Sequence, residues 1–395
     1  MEENNNLSSL NLTNAPYIIG TLVPSGASAT QYFNPPANHP SEPNYVWLEA
    51  ADNEGLITDN DPTPTNSSAT IQHLATYLSN AGISWRGYAE NITGTVCPLS
   101  TVGNYYPKHV PFIFFQDQTN NESPTSPTCI AGMRPYTQLA TDLANGTTAR
   151  YNFITPNGAD DMHDTGITAG DTWLSQNVPA ILASNAFKNN GALFIMMDEA
   201  GTGDGPIPFI AISPLAKVNY QNAIHYDHSS TVLTLQEIFG TGPCLRNACT
   251  ATDLSDLFQA GTITPLPAAV PTVSLTLSVP SISPGGNAVL TLASTNATSC
   301  TGRLTGVLNG SVTVAPGATT TYSETCTGTG GSATAKATLT VSPETATFTP
   351  PAYPLTLGRT TTVTFTLTGQ VAKTCTASLR VTPAGVVTVS ALSCH

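Results

Sequence analysis

Positive charge is scarce in this chain. Among 395 residues, Lys and Arg number 12 against 25 Asp and Glu, so the formal net charge is −13, and charged residues make up only 9%. So few cations exclude a nucleic-acid-binding face and disfavour anionic membrane surfaces, because both rest on clustered Lys and Arg. An anionic substrate must then be held by a metal ion, by histidines or by backbone N–H groups. No run of 18 apolar residues occurs, so no membrane-spanning helix is expected. No Cys-x-x-Cys pair occurs either, which removes the usual zinc and dithiol signatures. No secretory signal precedes Met1, so an exported form is expected to carry one outside this sequence.

What is plentiful is Thr, Ser, Asn, Gly and Pro, the composition of an extracellular protein. The eight cysteines fall as near neighbours: Cys97 and Cys129, Cys244 and Cys249, Cys300 and Cys326, Cys375 and Cys394. They read as four local disulfides formed in a secreted or periplasmic setting, the alternative being reduced buried thiols. The length exceeds one ordinary core and suits two or three domains.

Up to about residue 258, helix-period and strand-like segments alternate. Residues 69–81 (ATIQHLATYLSNA), 136–144, 171–184 and 230–239 read as helices, with Pro179 bending the third. Residues 111–115 (PFIFF), 151–154 and 192–197 (ALFIMM) read as buried strands. Such alternation predicts an α/β domain with a mostly parallel sheet and helices on both faces. Ligands of open α/β sheets sit beyond the carboxyl ends of the strands. Asp198 and Glu199 directly follow 192–197, and the segment 156–164 follows 151–154, so both are expected on one rim.

Composition changes at the Pro-rich linker 261–272. Residues 273–343 then alternate apolar and Thr/Ser residues with turns at Pro284-Gly285-Gly286 and Pro316-Gly317, a β-sandwich pattern. Residues 344–395 repeat the style as a second, smaller sandwich-like module. Cys300 and Cys326 are expected to join paired strands.

The chemistry lies in the first 260 residues. Ser41 precedes Pro43 and a helical stretch, so it falls at a helix N-terminus, where the dipole and free N–H groups favour an alkoxide and a bound phosphate. Taken alone it reads as an ordinary N-cap serine, because such caps are common. Asp198 and Glu199 are adjacent carboxylates after a buried strand, costly unless paired or metal-bound. Glu3 and Asn4 offer hard oxygen ligands. His163, in Asp160-Asp161-Met162-His163-Asp164, is flanked by three carboxylates that favour its imidazolium, a phosphate contact or leaving-group acid. His109 precedes 111–115, His228 precedes a helix, and Asp161 and His228 read as residues supporting the primary ligands.

Taken together, Glu3-Asn4, 39–45 (HPSEPNY), 106–112 (YPKHVPF), 155–164 (TPNGADDMHD), Asp198-Glu199 and 226–229 (YDHS) resemble the phosphoesterase family that unites acid phosphatases with phosphatidylcholine-hydrolysing phospholipases C. HPSEPNY resembles the acid phosphatase branch. The resemblance implies an alkaline-phosphatase-like α/β fold over residues 1–260. It also implies a single divalent metal ion (calcium, magnesium or manganese) ligated by Glu3, Asn4, Ser41, Asp198 and Glu199. Ser41 would be the nucleophile, and His109 and His163 would contact phosphate. Two departures stand out. The family's first strand precedes the Glu-Asn motif and is missing here, so a truncated start is expected, and Asp160 replaces the family's Asn. The tail resembles bacterial immunoglobulin-like modules.

The sequence therefore predicts metal-dependent hydrolysis of small phosphate monoesters through a phosphoserine. The alternatives are a phospholipase C or phosphodiesterase, and a non-catalytic surface-binding protein with a relic domain. The C-terminal modules are expected to contact a cell surface or polysaccharide.

Overall fold

The protein is described by a computed structural model that covers residues 1–342, 345–346, 358–368, 373–384 and 387–394. The chain forms two compact units, Met1–Leu266 and Pro267–His395.

The first unit is mixed α/β, with parallel strands and covering helices. In one sheet, strand Trp85–Ala89 lies between Met133–Pro135 and Tyr151–Thr155, parallel to both. A second sheet runs Leu193–Met196, Phe209–Ile212, Ala27–Ala29, Tyr220–Asn222. Here the first two pairings are antiparallel and the last is parallel. Met1–Glu3 lies between the two sheets. The Met1 ammonium donates to the Ile154 carbonyl (3.0 Å), the Glu2 N–H to the Met196 carbonyl (3.0 Å), and the Asp198 N–H to the Glu2 carbonyl (3.1 Å). Extended backbone alternates its side chains. Glu2 accordingly lies against Gly170, where an added Cβ would come within 2.7 Å of its Oε2, while Glu3 meets Ser41.

In place of the single, mostly parallel sheet expected from sequence, the unit has these two sheets, one with antiparallel pairs, and a two-stranded parallel sheet, Tyr32–Phe33 with Tyr226–Asp227. The reason is local: Phe209–Ile212 is buried throughout, and an all-apolar strand carries no signal of direction. Residues 111–115 are buried as expected but form a 3₁₀ turn, Pro111–Phe114, not a strand. Pro111 opens that turn, and the aromatic run packs beside Trp85 and Met133 in the core under the parallel sheet. The helix expected at 69–81 is confined to Leu74–Asn80, because His73 is extended and buried against Phe115. The other helices form at Thr137–Asn145, Ile167–Ala183 (containing Pro179) and His228–Phe239. Gly146 and Gly240 end the first and last with φ of 67° and 63°, a conformation glycine adopts without penalty.

In the second unit, Thr272–Leu277, Ala288–Thr295 and Gly310–Val314 form one antiparallel sheet. Ser281–Ile282, Gly331–Val341, Thr320–Gly328 and Ser299–Thr301 form another. Leu275, Leu290, Leu292 and Val314 from the first share a core with Ile282, Leu339 and Cys326 from the second. The period-two alternation of the sequence therefore has its physical outlet in two sheets with one apolar face each. Residues 344–395 are the segment expected to form the second, smaller sandwich-like module. Among the described residues they form one four-stranded antiparallel sheet, Thr345–Ala346, Thr360–Thr368, Lys373–Val381 and Val387–Cys394. Residues 343–344, 347–357, 369–372, 385–386 and 395 of that module lie outside the described residues.

Disulfides join Cys97–Cys129, Cys244–Cys249 and Cys300–Cys326. The last links directly opposed residues of neighbouring strands in one sheet. Cys375 is also disulfide-bonded and stands opposite Cys394 in register. No helix among the described residues is long and apolar enough to cross a membrane.

Candidate active site

The helix Ser41–Ala50 begins at Ser41, with extended Pro40 as its cap. Ser41 is buried, and its Oγ donates to Glu3 Oε2 at 3.1 Å. One turn on, the Tyr45 hydroxyl donates to Glu3 Oε1. Positions i and i+4 share a helix face, so Ser41 and Tyr45 grip the two oxygens of one carboxylate. Asn44, on the next face, donates to Glu199 Oε2 at 3.1 Å.

Two loops bring the imidazoles. A 3₁₀ turn, Pro107–His109, ends at His109, and the loop after Tyr151–Thr155 carries Asp161 and His163. His109 is buried. Its Nδ1 lies 2.9 Å from Asp161 Oδ2, and its Nε2 lies 3.4 Å from Glu3 Oε2. Asp161 Oδ1 accepts the His163 N–H at 2.9 Å. His163 Nδ1 is 2.7 Å from Asp164 Oδ1, and its Nε2 is 3.3 Å from Lys108 Nζ. His163 is partly exposed, so the two histidines expected to contact phosphate differ: His109 is enclosed among carboxylates and His163 stands at the rim.

Asp198 is fully buried. Its Oδ1 accepts the Asn4 backbone N–H at 3.0 Å, while its Oδ2 has no hydrogen-bond partner. Asn4 therefore reaches Asp198 through its backbone. It adopts φ of 50°, a conformation Asn tolerates better than most residues. His228 Nε2 lies 2.5 Å from the Asp198 carbonyl oxygen, and its Nδ1 lies 3.1 Å from the Tyr32 hydroxyl. Glu199 is held by His39 Nδ1 at 2.5 Å as well as by Asn44. Burial and the Asp198 charge push the Glu199 carboxyl up to about 7.

Glu3, His109 and Asp161 each offer a ligand atom, all within 4.8 Å of one another, and all three residues are buried. Burial, then the charges of Asp198 and Asp161, raise the Glu3 carboxyl well above its usual range. So many buried carboxylates repel one another unless a proton or a cation lies among them. Asp198 Oδ2 and His109 Nε2 lack hydrogen-bond partners. Carboxylate oxygens with one imidazole fit a divalent cation, as does the absence of cysteine from the group. The compact triad differs from the expected ligand set in including His109 and Asp161.

Sequence reasoning included His39, Asn44, Tyr45 and Lys108 in its motifs without giving them roles, and it missed Asp59. The signal for Tyr45 and Asn44 was their place three and four residues after Ser41 on a helix. Asp59 left no signal, because only folding brings its Oδ1 to the Glu42 N–H (3.0 Å) and its Oδ2 to Lys108 Nζ (2.8 Å).

A model of the phosphoesterase family matches residues 3–242. A phosphatidylinositol-3-phosphatase of Mycobacterium tuberculosis is 29% identical over 259 residues, covering 65% of this chain and 81% of the relative. An acid phosphatase of Aspergillus fumigatus is 30% identical over 189 residues, 46% of this chain and 40% of the relative. A phosphate-repressible acid phosphatase of Penicillium chrysogenum is 30% identical over 198 residues, 48% and 44%. The chain thus spans less than half the length of these two fungal relatives.

Proposed function

This chain belongs to the phosphoesterase family of hydrolases acting on phosphoric esters, and on that premise we propose that it removes phosphate from small monoesters through a phosphoserine at Ser41. The observation that carries this reading is the Ser41–Glu3 hydrogen bond at the start of a helix. A hydroxyl there has a proton acceptor on one side and the positive end of a helix dipole on the other.

Glu3, Asp161, His109 and Asp198 would hold one divalent cation, with Ser41 beside it. When bound, that cation supplies Lewis-acid stabilisation of a serine alkoxide and of phosphoryl oxygens. Glu3 accepts the Ser41 proton, and Ser41 attacks phosphorus in line as the alcohol leaves. His163, at the rim, gives the leaving oxygen its proton. Water then cleaves the phosphoserine and releases phosphate. Tyr45 fixes the Glu3 carboxylate during both steps, and the His228 contact fixes the backbone at Asp198. The buried setting strengthens each of these interactions.

The disulfides point to an oxidising compartment, secreted or periplasmic. We read residues 1–260 as an alkaline-phosphatase-like catalytic domain, 261–272 as a linker, and 273–343 and 344–395 as immunoglobulin-like modules that contact a surface or polysaccharide. The name of the mycobacterial relative makes a phosphoinositide headgroup one substrate to assay beside simple monoesters.

The test is acid quenching during turnover of p-nitrophenyl phosphate, followed by peptide mass analysis. A phosphate adduct on Ser41 is expected. Rapid turnover with no adduct on Ser41, and undiminished activity in Ser41→Ala, would reject the assignment.

A further inference from the structure

Lys108 holds a position that the mechanism above does not use. Its ammonium lies 2.8 Å from Asp59 Oδ2 and 3.3 Å from His163 Nε2. Asp59 uses its other oxygen on the N–H of Glu42, the residue after Ser41. One carboxylate therefore ties the ammonium to the N-terminus of the nucleophile's helix. The next residue, His109, faces Glu3, the acceptor of the Ser41 hydroxyl. The charges of Glu3 and Asp198 also act on Lys108.

We propose that Lys108 is the cationic grip for the phosphoryl group, aimed by Asp59 and paired with His163 until substrate arrives. This rests on the phosphomonoesterase reading of the site.

The first argument is charge. Glu3, Asp161, Asp164 and Asp198 surround the site, and a phosphate dianion meets their repulsion. The ion pairs Arg86–Asp142, Lys217–Asp256 and Arg246–Glu54 involve none of these carboxylates. Lys108 is the fixed positive charge at hand. Its side chain is only 16% exposed, so its field is less screened than that of a surface lysine.

The second argument is donor geometry. An ammonium has three N–H donors and no acceptor. Asp59 takes one and His163 Nε2 can take another only while that nitrogen keeps its lone pair. A phosphoryl oxygen is a far stronger acceptor for a charged donor than a neutral imidazole. When phosphate takes the N–H, His163 Nε2 is freed to take a proton from solvent, the proton that it then passes to the leaving oxygen.

An ordinary role for the pair would be to fasten the segment before His109 to the loop at Asp59. The two roles separate in the binding of inorganic phosphate as competitive inhibitor. Lys108→Met should raise the phosphate inhibition constant and KM by roughly 10- to 100-fold. Lys108→Arg should recover part of that loss, and Asp59→Asn should show a smaller increase because the ammonium remains but is no longer aimed. Lys217→Met, which breaks a surface pair with Asp256, is the control and should leave both constants unchanged. If Lys108→Met folds and retains the wild-type phosphate constant, the proposal is overturned. Should that variant fail to fold, unchanged phosphate constants in Lys108→Arg and Asp59→Asn overturn it instead. A wild-type protein that neither turns over monoesters nor binds phosphate would reject the underlying reading, a result distinct from either.

Discussion

The Ser41 hydroxyl and the Glu3 carboxylate, 38 positions apart, meet at 3.1 Å in a buried contact. Neither residue is remarkable alone. Serine at a helix start is common, and a glutamate near a chain's beginning is usually solvated. Their contact gives each a role that its neighbours in sequence cannot supply.

Replacing Ser41 by Ala removes the hydroxyl while leaving the helix start able to form. Turnover of p-nitrophenyl phosphate should fall by at least roughly 10³-fold. The circular dichroism spectrum should be unchanged. Wild-type rates in this variant would end the nucleophile assignment.

Exhaustive dialysis against EDTA should lower both activity and Tm. A cation that binds only the folded protein stabilises it, and its removal leaves Glu3, Asp161 and Asp198 to repel one another. Adding back calcium, magnesium or manganese singly should restore both, and the ranking identifies the preferred ion. Full activity with metal content verified as nil would remove the cation from the mechanism.

Glu42 supplies a pH prediction. It is fully buried, and its carboxyl is raised to about 8 from 4.5, chiefly by burial. The folded state therefore binds more protons than the unfolded one between these values. Its share of stability is complete below about pH 4.5 and is lost as pH rises to about 8. Unfolding free energy should fall across this window, and Glu42→Gln should flatten the fall by on the order of 2 kcal/mol. Denaturant titrations at pH 5 and pH 8 provide the comparison, and an identical slope in the variant would contradict it.

The disulfide Cys97–Cys129 closes a 32-residue stretch that contains Lys108 and His109. Opening it with a double Cys→Ala variant should cost about 3 kcal/mol. Activity should decline at temperatures below the main unfolding transition, because the loop that carries Lys108 and His109 loosens first. A thermal melt run beside an activity–temperature curve would reveal this, and coincident curves in both proteins would count against it.

Much was legible in the amino-acid sequence by itself. Gly146 and Gly240 announced helix ends, because a left-handed residue costs glycine little. Period-two alternation announced the sheets of the second unit, because an apolar face must be buried. Ser41 before Pro43 marked a helix start, and the ordered set of short motifs indicated the family. These features are local, and local preference survives into the fold when nothing opposes it. Other features were decided only in three dimensions. Pro111–Phe114 is as apolar as a strand but turns, because aromatic packing under the parallel sheet offers more burial than another ladder. The direction of Phe209–Ile212 is invisible in a uniformly buried string. Asp59 joins Lys108 to the Ser41 helix, and His109 joins Asp161 to Glu3, across separations that no periodicity encodes. Residue types carried the chemical inventory. Which carboxylate faces which imidazole was set by burial, since charges removed from water must find partners wherever the chain brings them together.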